Sequence, residues 1–80
     1  MFRKEPVLAD VPAGSQVRVR RLGGPRSLWL RMVAVGLHPG ASVTVEGANS
    51  LDGTVEVNVK GSRVSLRRED AAMVFVKMSK

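Results

Sequence analysis

Valine alternates with polar residues along most of this chain, and that period-two spacing limits the possible folds more than any other feature. It is clearest at residues 55–60 (VEVNVK), where three valines fall on one face of an extended segment. Shorter segments of the same kind occupy residues 17–20, 43–46, 64–67 and 74–77. Because β-branched side chains favour strands, the spacing predicts an all-β domain of five short strands.

Glycine and proline separate these segments, as expected for turns. Residues 23–25 (GGP) follow the first segment, and residues 39–40 (PG) precede the second. Residues 61–62 (GS) predict a two-residue hairpin turn of type II′, with Gly61 at the position that needs a positive φ. The 80 residues are enough for one small domain. A flat sheet would expose two edges in so short a chain, so we expect the strands to curl into a compact barrel of the SH3-like or OB kind.

Residues 27–35 (SLWLRMVAV) interrupt the period-two spacing and predict a short helix after the first strand. Leu28, Met32 and Val35 share one stripe of that helix, which we expect to face the core. Apolar residues also lie outside the stripe, at Trp29, Leu30, Val33 and Ala34. Since one stripe is enough for a short surface helix, we expect something else to cover these additional apolar positions.

The chain has no cysteine and a formal net charge of +6, from 13 Lys and Arg against 7 Asp and Glu. The lack of cysteine excludes disulfides, thiolate zinc sites, iron–sulfur clusters and cysteine catalysis. The positive charge permits nucleic acid, an acidic protein surface or an anionic membrane surface as a partner. No apolar run approaches the roughly 20 residues of a membrane span, and the N-terminus lacks the apolar core of a signal peptide, so we expect a cytoplasmic protein.

Catalytic and metal-binding chemistry has few candidates in this sequence. His38 is the only histidine, and we interpret it as a solvated turn residue because one histidine supplies one ligand. The acidic residues are scattered, and neither a Walker A loop nor a G-x-G-x-x-G pattern occurs. We therefore expect no enzymatic activity, no cofactor and no small-molecule substrate, and a barrel that carries or senses a metal ion itself has almost no ligands to use.

Arginines on the predicted strands permit a second class of function, nucleic-acid binding. The candidate basic face consists of Arg18, Arg20, Arg63, Arg67 and Arg68. Small barrels bind single strands with a basic groove and stacking aromatic side chains. Here tyrosine is absent and Phe75 is the only aromatic residue on a predicted strand. We therefore interpret these arginines first as a solvated surface and second as such a groove.

Three blocks of residues together resemble one known family. Residues 8–19 follow L-x-x-V-x-x-G-x-x-V-x-V, residues 30–40 read LRMVAVGLHPG, and residues 57–71 follow V-x-V-x-G-x-R-V-x-L-R-R-x-x-A. In this order and spacing they are similar to the bacterial ferrous iron transport protein A family, called FeoA. The resemblance extends over residues 8–77.

The resemblance implies an SH3-like barrel with one helix inserted after the first strand, in a small cytoplasmic accessory protein of ferrous iron uptake. It implies as partner the membrane transporter FeoB, whose cytoplasmic part contains a GTPase domain, and hence a location peripheral to the inner membrane. The same barrel occurs as the C-terminal domain of metal-dependent repressors of the diphtheria-toxin-repressor type. We expect an N-terminal arm at residues 1–7, the barrel domain at residues 8–77 and a C-terminal tail at residues 78–80.

For Trp29 the sequence leaves two roles open, a core residue and an interface anchor, since Trp is both mostly buried and common in binding hot spots. We predict docking through the helix, with Trp29, Leu30 and Val33 as apolar contacts and Arg31 as an ionic contact. Self-association stays open as well, because a strand edge and an apolar helix face are expected to be uncovered.

Overall fold

The computed structural model describes residues 5–49 and 51–78. Its regular elements, in chain order, are a 3₁₀ turn at Leu8–Asp10, strand β1 at Gln16–Leu22, helix α1 at Arg26–Ala34, strand β2 at Ser42–Asn49, strand β3 at Thr54–Val59, strand β4 at Ser62–Arg67, the single-turn helix α2 at Arg68–Ala71 and strand β5 at Val74–Met78. The prediction of an all-β domain with five strands and one helix after the first strand is confirmed.

The five strands form one antiparallel sheet in the order β4-β3-β2-β1-β5. Strand β5 pairs with β1, and side chains from all five strands meet in one core, around which the sheet curls as an SH3-like barrel. The register shifts between Val19 and Arg21 in β1 and between Val45 and Gly47 in β2. Such bulges sharpen the bend of a strand, which helps a short sheet to close.

The alternating valines supply the core, as their spacing predicts. Val17, Val43, Val57 and Val76 have no exposed surface, although they come from four different strands. Full burial of such a side chain is worth about 1.5–3 kcal/mol relative to leaving it exposed. The core is therefore shared by the whole sheet, and polar side chains between the valines lie on the outer surface.

Helix α1 packs on this core through Leu28 and Met32, two of the three residues of its predicted stripe. The third, Val35, is 42% exposed, so the prediction that it faces the core was wrong. Val35 still donates its N–H to the carbonyl of Arg31, but its side chain lies beside Met32 in an open groove between the helix and β4, which leaves it uncovered.

A Schellman motif ends the helix and sends the chain toward β2. Gly36 has a φ of +95° and donates its N–H to the carbonyl of Val33 at 3.0 Å. Leu37 donates to the carbonyl of Met32 at 2.8 Å and is fully buried, and an apolar contact of this kind often accompanies the motif. The buried Leu37 and Met32 thus hold the last turn of α1 on the barrel.

The hairpin between β3 and β4 has a two-residue loop of a type different from the predicted one. Val59 pairs with Ser62, so the loop residues are Lys60 and Gly61. Both have a positive φ, 54° and 85°, which is the geometry of a type I′ turn. The prediction of a II′ turn at residues 61–62 was wrong because the true loop lies one residue earlier.

The described ends of the chain are held on the sheet. Val7 is buried and forms an isolated bridge with Phe75, and Pro6 accepts a hydrogen bond from the N–H of Val76 at 3.0 Å. Met78 is the last residue of β5. Residues 1–4 of the predicted arm and residues 79–80 of the predicted tail lie outside the described residues, and the boundaries at residues 8 and 77 stay predictions.

Candidate partner-binding surface

The outer face of α1 is apolar. Trp29 is 39% exposed and Leu30 is 50% exposed, while Val33 is partly buried beside them. These three side chains span about 100° of the helix circumference, on the side away from Leu28 and Met32. We call them the Trp29 surface. Of the two roles that the sequence leaves open for Trp29, the structure places the side chain at the surface.

A hollow of about 300 Å³ lies beside Trp29 and is also lined by Gly24 and Arg26. Gly24 has a φ of +80°, and a Cβ at this position would lie 3.1 Å from Leu28 Cδ2 and 3.4 Å from Met73 Cγ. Because glycine has no Cβ, the loop before α1 can approach Leu28 and Met73 more closely than a larger residue would allow. The hollow gives the Trp29 surface a concave side with a positive charge at its rim.

Met73 is an apolar residue near this surface that the sequence interpretation missed. It is 37% exposed and lies against Gly24, in the turn between α2 and β5. No periodic pattern includes Met73, and its neighbour Gly24 is remote in sequence. Only the pairing of β1 with β5 brings the two together, so the sequence offered no local signal for this contact.

Arg31 does not belong to the Trp29 surface. It lies about 160° around the helix axis from Trp29, on the flank that faces β4. Its guanidinium is 3.7 Å from the carboxylate of Asp70 in α2. The structure thus brings together the three apolar residues of the predicted docking set and separates them from the predicted ionic contact.

A groove of about 270 Å³ separates α1 from β4 on this second flank. We call it the β4 groove. It is lined by Arg31, Met32, Val35, Val64, Ser65, Leu66, Arg67 and Asp70. Its floor is apolar and its rim is charged, with α1 as one wall and the strand as the other.

The arginines of the candidate basic face do not form one groove. Arg18 and Arg20 lie on β1, and Arg63 and Arg67 lie on β4, with two strands between them in the sheet. Arg68 begins α2. The Nη1 of Arg18 donates to the carbonyl of Gly40 at 3.2 Å, and the Nε of Arg63 donates to Glu46 at 2.9 Å.

Phe75, the aromatic residue that a nucleic-acid site on the strands would use for base stacking, already contacts another side chain of the protein. Phe75 is partly buried, and the guanidinium of Arg21 lies 3.9 Å from the centre of its ring. Arg21 is itself held by Glu5, whose carboxylate is 3.1 Å away. One face of this ring is therefore covered by Arg21, and no observation in the described chain favours base stacking there.

A larger hollow of about 680 Å³ lies between the 3₁₀ turn, α2 and Phe75. Its lining combines apolar side chains such as Val7 with the carboxylates of Asp10 and Glu69 and the guanidinium of Arg68. Within residues 5–49 and 51–78, no group of three or more His, Asp or Glu side chains is placed so that it could hold a metal ion. Neither of the two helices in that part of the chain is long and apolar enough to cross a membrane.

The match to known families covers nearly the whole chain. Residues 7–78 match the family model described as the FeoA domain. No curated protein matches the chain.

Solved structures share the fold over most of its length. An iron uptake regulatory protein (FeoA) is 23% identical, with a TM-score of 0.84 over 96% of this chain and 100% of its own. The FeoA protein from Chlorobium tepidum is 25% identical, with a TM-score of 0.86 over 94% of this chain and 71% of its own. A manganese-dependent transcriptional repressor is only 16% identical, and its TM-score of 0.88 covers 98% of this chain but 38% of the repressor. The last likeness therefore concerns the barrel alone.

Proposed function

The chain belongs to the FeoA domain family, which is associated with ferrous iron transport, and we propose that it is an accessory protein that docks on the cytoplasmic portion of a FeoB-type membrane transporter. In this proposal it regulates or assembles the transporter by binding, without chemistry of its own, on the cytoplasmic side of the inner membrane. The resemblance of the sequence to the FeoA family supports the choice of partner.

The Trp29 surface is the observation on which the docking proposal depends. A tryptophan 39% exposed and a leucine 50% exposed on one helix face leave apolar area in water that a partner can cover. Trp is among the residues most often found in binding hot spots, and the hollow between Trp29 and Arg26 offers a place for a partner side chain. The helix itself is held on the barrel by Leu28 and Met32, so the surface is presented on a rigid element.

Binding without catalysis also fits the surroundings of His38, the only histidine. Its Nδ1 lies 3.0 Å from the carbonyl oxygen of the adjacent Pro39, in the turn before β2. This hydrogen bond holds the imidazole against its own turn, and within residues 5–49 and 51–78 no group of three or more His, Asp or Glu side chains is placed to bind a metal ion. We therefore assign His38 to the turn.

Affinity purification of the tagged protein from detergent-solubilised native cells tests the proposal, at about 0.2 M salt to weaken non-specific phosphate binding. We expect a membrane GTPase transporter to copurify with the wild type and to be lost with Trp29→Ala. Met78→Ala serves as the matched control, because it removes an exposed apolar side chain from the end of β5. Recovery of RNA or DNA in place of a transporter, or equal capture by Trp29→Ala, would contradict the proposal.

A further inference from the structure

Strand β4 is an end strand of the sheet, and the hairpin geometry fixes which of its backbone groups are unpaired. Val59 and Ser62 flank a two-residue loop and therefore form a hydrogen-bonded pair. Such pairs alternate along antiparallel strands, and the hydrogen bond from the N–H of Arg68 to the carbonyl of Gly53, 2.8 Å, agrees with this alternation. The backbone groups that point away from β3 are those of Arg63, Ser65 and Arg67.

The side chains along this edge divide into two sets. Val64 and Leu66 point inward, toward the β4 groove and the core, and the groove floor continues through Met32 and Val35 of α1. Arg63, Ser65 and Arg67 are exposed on the outer face. A strand laid along this edge would meet apolar contacts on one of its faces and positive charge on the other.

We propose that β4 receives an extended acidic segment of a partner protein as an additional antiparallel strand. Residues of that segment opposite Arg63 and Arg67 are acidic, and the alternate residues are apolar and enter the β4 groove. Backbone hydrogen bonds provide the binding, while the groove and the arginines select the sequence. The proposal concerns a surface separate from the Trp29 surface and does not rest on it.

The charges at the groove favour an acidic occupant. Arg67 makes no ion pair with another residue in the described part of the chain, whereas Arg31 is paired at 3.7 Å with Asp70, which lines the same groove, so Arg67 is the cation available to a partner. Arg63 is held by Glu46, so its charge is partly offset. The chain as a whole has a formal net charge of +6, which adds a long-range attraction for an acidic segment.

A second copy of this chain is a poor occupant of the same edge. Antiparallel pairing of two β4 strands around Ser65 uses the whole edge, and it puts Arg63 of each copy opposite Arg67 of the other. Like charges directly opposite each other destabilise a strand pair. Repulsion between the arginines therefore disfavours pairing of two β4 strands, whereas a negatively charged strand would be attracted to the same edge.

Titration of the ¹⁵N-labelled protein with the synthetic peptide acetyl-Thr-Glu-Val-Thr-Val-Glu-Thr-amide tests the proposal by NMR. We expect saturable shifts of the Arg63, Ser65 and Arg67 amide signals and slower hydrogen exchange at those amides. N-methylation of the central Thr nitrogen, which faces β4, is expected to abolish binding. N-methylation of a Val nitrogen, which faces solvent, is expected to leave peptide binding unchanged. Absence of shifts at β4, or equal binding by both methylated peptides, would overturn the proposal.

A matched pair of charge reversals separates this site from other parts of the surface. Arg67→Glu is expected to weaken peptide binding about tenfold, whereas Arg20→Glu makes the same charge change on β1 and leaves it nearly unchanged. The amide spectrum of each variant shows whether the fold is intact. Trp29→Ala is expected to bind the peptide as the wild type does, and loss of peptide binding in that variant would overturn the proposal. Failure of the transporter interaction alone would leave these results unaffected.

Discussion

At the scale of single residues, the closeness of α1 to the sheet depends on a residue that has no side chain. Gly36 has a φ of +95°, and a Cβ there would lie 3.0 Å from Cγ1 of Val59. The helix end, the turn and the third strand meet at this point. The glycine was recognisable in the sequence as the end of the helix, but its contact with Val59 depends on the tertiary structure.

We expect Gly36→Ala to lower the free energy of unfolding by about 1–3 kcal/mol, because it combines a left-handed backbone with a close contact. Urea denaturation followed by circular dichroism measures the change. Gly47→Ala is the control, since a Cβ at that position meets nothing within 4 Å and its φ is not in the left-handed region. If the two variants were equally stable, the strain assigned to Gly36 would be absent.

Leu28 and Trp29 are adjacent in sequence and opposite in role. Leu28 is 4% exposed and part of the core, whereas Trp29 lies at the surface. We expect Leu28→Ala to cost about 2–5 kcal/mol of stability, and the half-buried Trp29, when changed to Ala, to cost less, about 1–2 kcal/mol. Thermal unfolding of both variants checks this. If Trp29→Ala were as strongly destabilised as Leu28→Ala, Trp29 would be a core residue and the surface assignment would be wrong.

At the scale of elements, period-two valines predicted the strands and their inward faces, while turn type escaped prediction. The assignment of the β3–β4 loop depends on which residues pair across the hairpin, Val59 with Ser62, and the valine pattern does not fix that register. The exposure of Val35 also depends on tertiary structure. The helical stripe included it, but the groove between α1 and β4 stays open beside it.

Lys60 is the only non-glycine residue with a positive φ in the described chain, at 54°. Because Asn tolerates this conformation better than Lys, we expect Lys60→Asn to raise the free energy of unfolding by about 0.5–1 kcal/mol. The urea midpoint measures the gain. Lys60→Gln removes the same charge without the conformational benefit and should show no comparable increase. A gain of the same size in both variants would attribute the effect to charge.

At the scale of the whole molecule, the barrel distributes its functional groups around its circumference. The sheet order separates the arginines of β1 from those of β4, and α1 divides the Trp29 surface from the β4 groove. Residue spacing could predict which side chains point outward on each strand. It could not predict which outward residues become neighbours, because that depends on how the strands are ordered and how far the sheet curls.

Because the arginines of β1 and β4 are separated, we expect the protein not to bind single-stranded nucleic acid tightly. In about 0.15 M salt, a fluorescent single-stranded thymine oligonucleotide should show no saturable binding, since no continuous basic groove with stacking aromatics is present in the described residues. Fluorescence anisotropy provides the measurement. Tight binding that weakens steeply with salt and is lost with Arg18→Ala or Arg67→Ala would instead identify a nucleic-acid surface.

The proposed docking of this FeoA-family chain on a ferrous iron transporter through the Trp29 surface can be measured by calorimetric titration of the purified protein with the purified cytoplasmic portion of the FeoB transporter from the same cells. We predict saturable binding that Trp29→Ala weakens at least about tenfold and that Met78→Ala leaves unchanged. The absence of binding, or binding of equal strength by Trp29→Ala and the wild type, would contradict this proposal.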